Sequence, residues 1–326
     1  MPLDPVLQQL VANIPPVEPG PLNFPELRQQ AADMLPFMVG PAGLVEVGDI
    51  AERMIGGVDG EVPIRIYRPL GEATGTLHFI HGGGWSIGDL PTIDPVARRL
   101  CRDLSMVVVT STYRLAPEHP FPAAYHDGLA AACWVHAHAA ELGGRDKPVA
   151  IGGDSAGSNL AAAICIGLRE GDDVAVGIGN AGDPRPSFDA QLLLYPALDL
   201  RDPAWGLPSR ISDADPTLPA HTMRQVFEAY VAEADPGDWR ISPLAAENLS
   251  ALPPAIVVIL TVDPLHDEAV TFASRLEAAG VPVALMEFDM LTHGFFSFAA
   301  IVPAAEKAYR QVLERFKMLL ELPVWQ

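Results

Sequence analysis

Basic residues are scarce in this 326-residue sequence, which has 21 lysines and arginines against 41 aspartates and glutamates. The resulting formal net charge of −20 at pH 7 repels nucleic-acid phosphates and anionic membrane surfaces. Neither nucleic acid nor membrane is therefore an expected partner of this chain. The same surplus of negative charge favours solubility.

Cysteine is also rare: Cys101, Cys133 and Cys165 are far apart, odd in number and embedded in apolar, helix-like stretches. This pattern predicts buried free thiols rather than a disulfide framework. The sequence also lacks the Cys and His spacing of a zinc site, since His136 and His138 would face different sides of a helix. We therefore expect no bound metal.

The sequence lacks both a membrane-spanning segment and a secretion signal. No apolar run approaches the roughly 18 residues that a bilayer requires. The first five residues, Met1-Pro2-Leu3-Asp4-Pro5, do not begin a basic region followed by an apolar one. These features predict a cytoplasmic location. Hydrophobic residues nevertheless make up 49% of the sequence, which is enough to build a large core.

Short apolar runs alternate with helix-like stretches from residue 62 onward. The predicted strands are Val62–Tyr67, Thr76–Ile80, Met106–Ser111, Val149–Ile151, Ala190–Tyr195, Ile256–Val262 and Val283–Phe288. The main predicted helices are Ala123–Leu142, Ser158–Arg169, Glu268–Ala279 and Ala304–Leu320. Such alternation is typical of the α/β class, in which helices cover both faces of a mostly parallel central sheet.

One serine lies in a glycine frame, Gly153-Asp154-Ser155-Ala156-Gly157, directly after the predicted strand Val149–Ile151. A sharp strand-to-helix turn here would raise the Ser155 side chain above the edge of the sheet, where it can act as a nucleophile. The alternative, a phosphate-binding loop, requires a Gly-Lys-Ser/Thr ending that the sequence lacks. The frame therefore predicts a catalytic serine.

A run of glycines in His81-Gly82-Gly83-Gly84-Trp85 directly follows the second predicted strand. Glycines leave their backbone N–H groups unhindered. We predict that the N–H groups of Gly83 and Gly84, together with that of Ala156, form an oxyanion hole. Trp85 is expected to bind substrate as a wall of the acyl pocket, or to pack beside it.

A nucleophilic serine needs a base and an acid, which follow it in the order acid, then histidine. His293 comes in a loop after the last predicted strand, where a general base belongs. Asp263 directly follows the strand Ile256–Val262, so its carboxylate can reach over the sheet edge and hold the imidazole. Asp267 competes for this role, although its place before a helical run is typical of an N-cap. Asp199 is a weaker alternative.

Two segments do not follow the alternation of predicted strands and helices. Residues 1–45 are rich in proline and contain two short helix-like pieces. Residues 199–248 scatter proline, aspartate and tryptophan around one helical stretch, Ala220–Ala232. We predict a catalytic domain at residues 46–326, with a small helical cap formed by residues 1–45 and an insertion at residues 199–248.

These motifs together resemble those of the hormone-sensitive-lipase-like esterases, the bacterial group IV branch of the α/β-hydrolases. The segments that carry the resemblance are His81–Trp85, Tyr113–Pro122, Gly153–Gly157, Asp263–Leu265 and His293–Phe295. The resemblance implies the α/β-hydrolase fold, Asp263 as the acid, and an N-terminal contribution to the cap. Asp154 indicates the Gly-Asp-Ser-Ala-Gly subgroup, and Ser158 departs from the glycine usual in the family.

The combined prediction is a carboxylic ester hydrolase that forms a serine acyl-enzyme and needs no cofactor. The resemblance implies short to medium acyl esters, so the expected partner is a small-molecule ester. Two alternatives stay open: an amidase or lactonase with the same triad, and a non-catalytic ligand receptor on the same fold. The sequence leaves the oligomeric state open, including a homodimer.

Overall fold

A central β-sheet organises the computed structural model, which describes residues 3–13, 20–144, 146–175, 177 and 185–321. The strands are β1 (Asp49–Gly56), β2 (Glu61–Arg68), β3 (Thr76–Ile80), β4 (Val107–Ser111), β5 (Val149–Asp154), β6 (Ala190–Leu194), β7 (Ala255–Leu260) and β8 (Val283–Phe288). Their order in the sheet is β1-β2-β4-β3-β5-β6-β7-β8. β2 pairs antiparallel with β1 and β4, and the other neighbours pair in parallel, so the predicted mostly parallel sheet is confirmed.

Helices cover both faces of this sheet. They are α1 (Pro5–Ala12), α2 (Phe24–Val39), α3 (Leu90–Leu104), α4 (Ala123–Ala137), α5 (Ala139–Leu142), α6 (Ala156–Glu170), α7 (Asp172–Ala175), α8 (Pro208–Ser212), α9 (Ala220–Val231), α10 (His266–Ala278) and α11 (Pro303–Leu320). Within the described ranges, no helix is both long enough and apolar enough to cross a membrane.

The core divides into two layers, one on each face of the sheet. One layer contains α3 and α11, and the other contains α4, α6 and α10. Successive residues of a strand point to opposite faces. Leu192 and Leu194 accordingly enter the first layer, while Leu193 between them enters the second. Strands buried on both faces explain why the sequence shows continuous apolar runs instead of alternation.

Two of the longer elements, β1 and α3, are not predicted by the hydrophobic pattern. β1 lies at the edge of the sheet and is largely exposed, so its sequence carries no apolar signature. α3 contains Pro91 and Pro95, residue types that usually argue against a helix. Pro91 is tolerated because it lies in the first turn, and the side chains of Asp89 and Thr92 form a capping box that starts the helix.

The single predicted helix over residues 123–142 is wrong, because α4 and α5 are separated at His138. This residue adopts a non-helical backbone conformation, with φ −104° and ψ 11°. Its ring folds back on the preceding turn: Nδ1 lies 2.8 Å from the carbonyl oxygen of Trp134, and the two rings stack 4.1 Å apart.

The three cysteines are buried and free, as predicted. They lie on α3, α4 and α6, in the helical layers of the core. Burial raises the pKa of both Cys101 and Cys133 to about 12, which keeps these thiols protonated near neutral pH. Their role is therefore to fill space.

Candidate active site

A strained turn between β5 and α6 positions Ser155. The residue has φ 53° and ψ −118°, a backbone conformation that non-glycine residues rarely adopt. The flanking glycines permit the close crossing of chain segments: a Cβ added at Gly157 would collide with the carbonyl oxygen of Ile80 at the end of β3. The glycine frame is thus required by the close packing that projects Ser155 from the sheet.

The three residues predicted as nucleophile, base and acid lie together in the structure. Ser155 Oγ lies 2.8 Å from His293 Nε2, and His293 Nδ1 lies 2.7 Å from Asp263 Oδ2. Asp263 is 1% exposed, and its other oxygen accepts the backbone N–H of Leu265 at 2.8 Å. These side chains come from loops after β5, β7 and β8, which end at the same edge of the sheet because the strands are parallel.

Three carboxylates control the electrostatic environment of His293. Burial lowers the pKa of the imidazole, but the charge and hydrogen bond of Asp263 oppose this, and the charges of Asp215 and Asp154 add to the effect. The pKa of His293 is raised as a result. The edge of the Tyr195 ring packs against the imidazole, with ring centroids 4.7 Å apart. His293 therefore has a fixed orientation and enhanced basicity.

The two alternative acids, Asp267 and Asp199, have other hydrogen-bond and ion-pair partners. Asp267 accepts the backbone N–H of Ser209 at 2.9 Å and pairs with His266 Nδ1, also at 2.9 Å. The N-cap role predicted for Asp267 is wrong, because α10 begins at His266 with Leu265 in the N-cap position. The carboxylate of Asp267 thus lies beside the first turn and reaches towards α8. Asp199 pairs with its neighbour Arg201.

The glycine loop after β3 presents the predicted donors. The N–H of Gly82 is already occupied, since it donates to Asp154 Oδ1 at 2.9 Å. Within the described part of the chain, no acceptor binds the N–H groups of Gly83, Gly84 or Ala156. These three groups therefore remain able to bind a ligand oxygen. Burial raises the pKa of Asp154 to about 6, although the Gly82 N–H opposes that shift.

Trp85 closes the end of this loop. It is fully buried, stacks on Tyr230 with ring centroids 4.2 Å apart and meets Phe227 edge to face. Trp85 is also one of the residues that line the cavity above Ser155. Trp85 therefore joins the glycine loop after β3 to α9, which carries both of its aromatic partners.

A cavity of about 900 Å³ opens above Ser155 and His293. The N-terminal segment contributes Val11, Ala12, Leu27, Ala31, Met34 and Met38 to its lining. The segment at residues 199–248 contributes Pro216, Thr217, Leu218, Pro219, His221, Thr222, Met223, Val226 and Phe227. Residues from both the N-terminal segment and the segment at residues 199–248 thus form walls of one largely apolar cavity.

Comparison with known proteins agrees with this geometry: residues 77–297 match a family model described as alpha/beta hydrolase fold. The chain belongs to this α/β hydrolase family. Carboxylesterase NlhH of Mycobacterium tuberculosis is 37% identical, over 98% of this chain and 96% of that protein. Carboxylic ester hydrolase LipN of the same organism is 42% identical, over 80% of this chain and 67% of that protein.

A solved structure is similar over nearly the whole chain. The hyperthermophilic esterase from the archaeon Pyrobaculum calidifontis has a TM-score of 0.85 and 32% identity, covering 98% of this chain and 99% of that one. The predicted α/β-hydrolase fold and the resemblance to the hormone-sensitive-lipase-like esterases are thereby confirmed. Placement in the Gly-Asp-Ser-Ala-Gly subgroup stays a prediction.

The hydrolase site also contains residues that sequence reasoning missed. Asp215 accepts the backbone N–H of His293 at 2.6 Å, from within the segment at residues 199–248. Arg28 on α2 forms a two-pronged ion pair with Glu118 and also donates to the carbonyl oxygens of Ser86 and Ala116. Glu118 belongs to the Tyr113–Pro122 motif, and this motif is a signal that could have prompted a search for its basic partner. Asp215 lies in no recognised motif, so the sequence offers no signal for it.

Exchanging the two candidate acids for their amides separates their roles in this hydrolase. Asp263→Asn should lower kcat by roughly 10³–10⁴-fold, because the amide no longer fixes the His293 tautomer that accepts the serine proton. Asp267→Asn should leave kcat near wild type and reduce the free energy of unfolding by about 1 kcal/mol or less. Turnover of a soluble aryl ester and thermal melting measure these effects. Equal losses of kcat in the two variants, or a larger loss in Asp267→Asn, would show that Asp263 is not the acid of the triad.

Proposed function

We propose that this protein hydrolyses carboxylic esters through an acyl-enzyme, with Ser155 as nucleophile, His293 as general base and Asp263 as the acid that orients it. The proposal is carried by the continuous hydrogen-bonded chain from Ser155 Oγ through the imidazole to Asp263, located at the base of an apolar cavity. Relatives named carboxylesterase and carboxylic ester hydrolase support it. The protein is a carboxylic ester hydrolase.

Acylation begins when Ser155 Oγ attacks the ester carbonyl carbon and its proton passes to His293 Nε2. The carbonyl oxygen becomes an oxyanion, which the N–H groups of Gly83, Gly84 and Ala156 stabilise. Asp263 stabilises the imidazolium that forms. His293 then donates the proton to the leaving alkoxide oxygen as the carbon–oxygen bond breaks.

Deacylation uses the same groups in a second cycle. A water molecule gives its proton to His293 Nε2 and attacks the acyl carbon, and the second oxyanion occupies the same hole. The proton returns to Ser155 Oγ as the acid product leaves. In this scheme the side chains and backbone supply every proton transfer and charge contact, so no metal or organic cofactor takes part.

We propose short to medium acyl esters as the substrates. Its volume of about 900 Å³ and its apolar lining suit a small molecule with an aliphatic or aromatic group. A small-molecule ester is therefore the proposed partner. The cytoplasm, expected from the sequence, is the proposed location. The hydrogen-bonded triad gives no reason to prefer a non-catalytic receptor.

We assign residues 1–45 and 199–248 to a cap over the catalytic domain. Gln225 of α9 connects the two segments: it accepts the N–H of Leu22 at 2.9 Å and donates to the carbonyl of Gly20 at 2.8 Å. Arg28 fastens α2 to the loop that follows the oxyanion donors. Residues 1–2 and 14–19 of this cap lie outside the described residues.

Replacement of the proposed nucleophile tests the function directly. Ser155→Ala should fold normally and lose ester hydrolysis by roughly 10³-fold or more, because no other group can form the acyl-enzyme. The measurement is kcat/KM on soluble aryl esters, with circular dichroism as a control for the fold. Near-wild-type turnover of every ester tested would exclude Ser155 as the nucleophile.

Removing the ion pair of Arg28 tests the cap assignment. Arg28→Ala should lower kcat/KM severalfold and change acyl-chain preference, because α2 would no longer be held against the catalytic domain. The kcat/KM of Arg28→Lys should lie between those of Arg28→Ala and wild type, since a lysine keeps the charge but cannot reproduce the two-pronged contact. The pair is partly exposed, so we expect a stability loss of only about 1 kcal/mol or less.

The readout for these cap variants is a chain-length series of monomeric p-nitrophenyl esters. Arg310→Ala is the matched control, because this exposed arginine pairs with Glu306 on α11, and neither residue lines the cavity. An Arg28→Ala profile that coincides with both wild type and this control would place α2 outside the functional cap.

A further inference from the structure

We propose that Asp215 is a positioning residue for the catalytic histidine: a second carboxylate, contributed by the cap, that holds the backbone of His293 and links it to the wall of the substrate cavity. The inference rests on the proposed function, because it assigns Asp215 a role through the base of that reaction.

The two oxygens of Asp215 bind different parts of the site. Oδ2 accepts the backbone N–H of His293 at 2.6 Å. Oδ1 accepts both the backbone N–H of Thr217 at 2.9 Å and its hydroxyl at 2.6 Å. The Thr217 hydroxyl also lies 3.2 Å from the carbonyl oxygen of His293. One buried side chain thus connects the loop of the base to residue 217 of the cap.

This connection continues directly into the cavity. Pro216, Thr217, Leu218 and Pro219 all line it, on the segment that leads into α9. A shift of that segment would therefore pull on Asp215 and, through it, on His293. Because rates depend steeply on the placement of a general base, a shift of about 1 Å would lower turnover.

Asp215 also adds negative charge beside the imidazole. The charged groups that face His293 are Asp263, Asp215 and Asp154, and Tyr195 contributes an aromatic edge. Asp215 itself faces Asp263, His293 and Thr217, and it is only 1% exposed. A carboxylate this buried is costly unless its hydrogen bonds are satisfied, and here both oxygens have donors. Its charge favours the imidazolium that forms as the serine attacks.

The variant Asp215→Asn removes the negative charge of this side chain and keeps its size and shape. The amide oxygen can still accept the His293 N–H, which should preserve the fold, while the amide NH2 replaces the oxygen that accepts the Thr217 N–H, so that this contact is lost together with the charge. We expect kcat to fall roughly three- to tenfold with little change in KM, and the acidic limb of the kcat/KM profile to move down by about one pH unit. The direction follows because loss of a nearby negative charge makes the imidazolium easier to deprotonate.

Two further variants complete the series. Asp213→Asn is the matched control: this exposed residue lies on the same segment and accepts the N–H of Ala220, so its kcat and pH profile should equal those of wild type. Thr217→Val removes the hydroxyl that holds Asp215 and keeps the charge. We expect it to lower kcat severalfold without moving the acidic limb.

The kinetic substrates are p-nitrophenyl acetate and butyrate, followed from pH 5 to 9 together with melting curves. An Asp215→Asn variant with wild-type kcat and an unmoved acidic limb would overturn the proposal. If Asp215→Asn does not fold, the proposal is equally overturned by a folded Thr217→Val with wild-type kcat. Failure of the proposed function itself would be distinct, because Ser155→Ala would then retain turnover.

Discussion

The close crossing of the backbone at Ser155 is the constraint on which the rest of the site depends. The turn from β5 to α6 passes so near the end of β3 that only glycine fits at position 157. The hydroxyl of Ser158 strengthens this crossing, because it donates to the carbonyl of Gly153 at 2.6 Å and accepts the N–H of Leu194 at 2.8 Å. The departure from the family's glycine thus adds a buried bridge between β5 and β6. The backbone strain at Ser155 is maintained by contacts on both sides of the turn.

The parallel sheet then determines which residues can meet at that turn. β3 and β5 are neighbours, so the glycine loop after β3 reaches the N-terminus of α6, where its donors join that of Ala156. Asp263 and His293 arrive from β7 and β8 at the same edge. The N-terminal segment and residues 199–248 line the cavity from the other side, and Asp215 accepts the backbone N–H of His293 from outside the sheet. The geometry of the candidate site therefore depends on the sheet and on both of these segments.

Sequence reasoning succeeded where chemistry or burial imposes a local pattern. Buried strands produce apolar runs, and a sharp strand-to-helix turn requires glycines, so the sheet and the meeting of Ser155, Asp263 and His293 could be predicted. The catalytic roles of these three residues stay predictions. β1 escaped prediction because an exposed edge strand needs no apolar residues. Asp215 escaped because it is one of 41 acidic residues, and its partner is a backbone N–H 78 positions away. α10 begins at His266, one residue before Asp267, and no capping side chain marks this start.

The central claim is that Ser155 is a nucleophile activated by the His293–Asp263 pair, and covalent labelling tests it most directly. An activated serine attacks the phosphorus of a p-nitrophenyl alkylphosphonate and takes up its phosphonyl group, with release of p-nitrophenol, and the resulting adduct mimics the tetrahedral intermediate. The account predicts that intact-protein mass spectrometry will show one adduct per chain, that peptide mapping will locate it on Ser155, and that esterase activity will fall in proportion to the labelled fraction. Activity that persists in fully labelled protein, or an adduct on another residue whose formation tracks the loss of activity, would contradict the account.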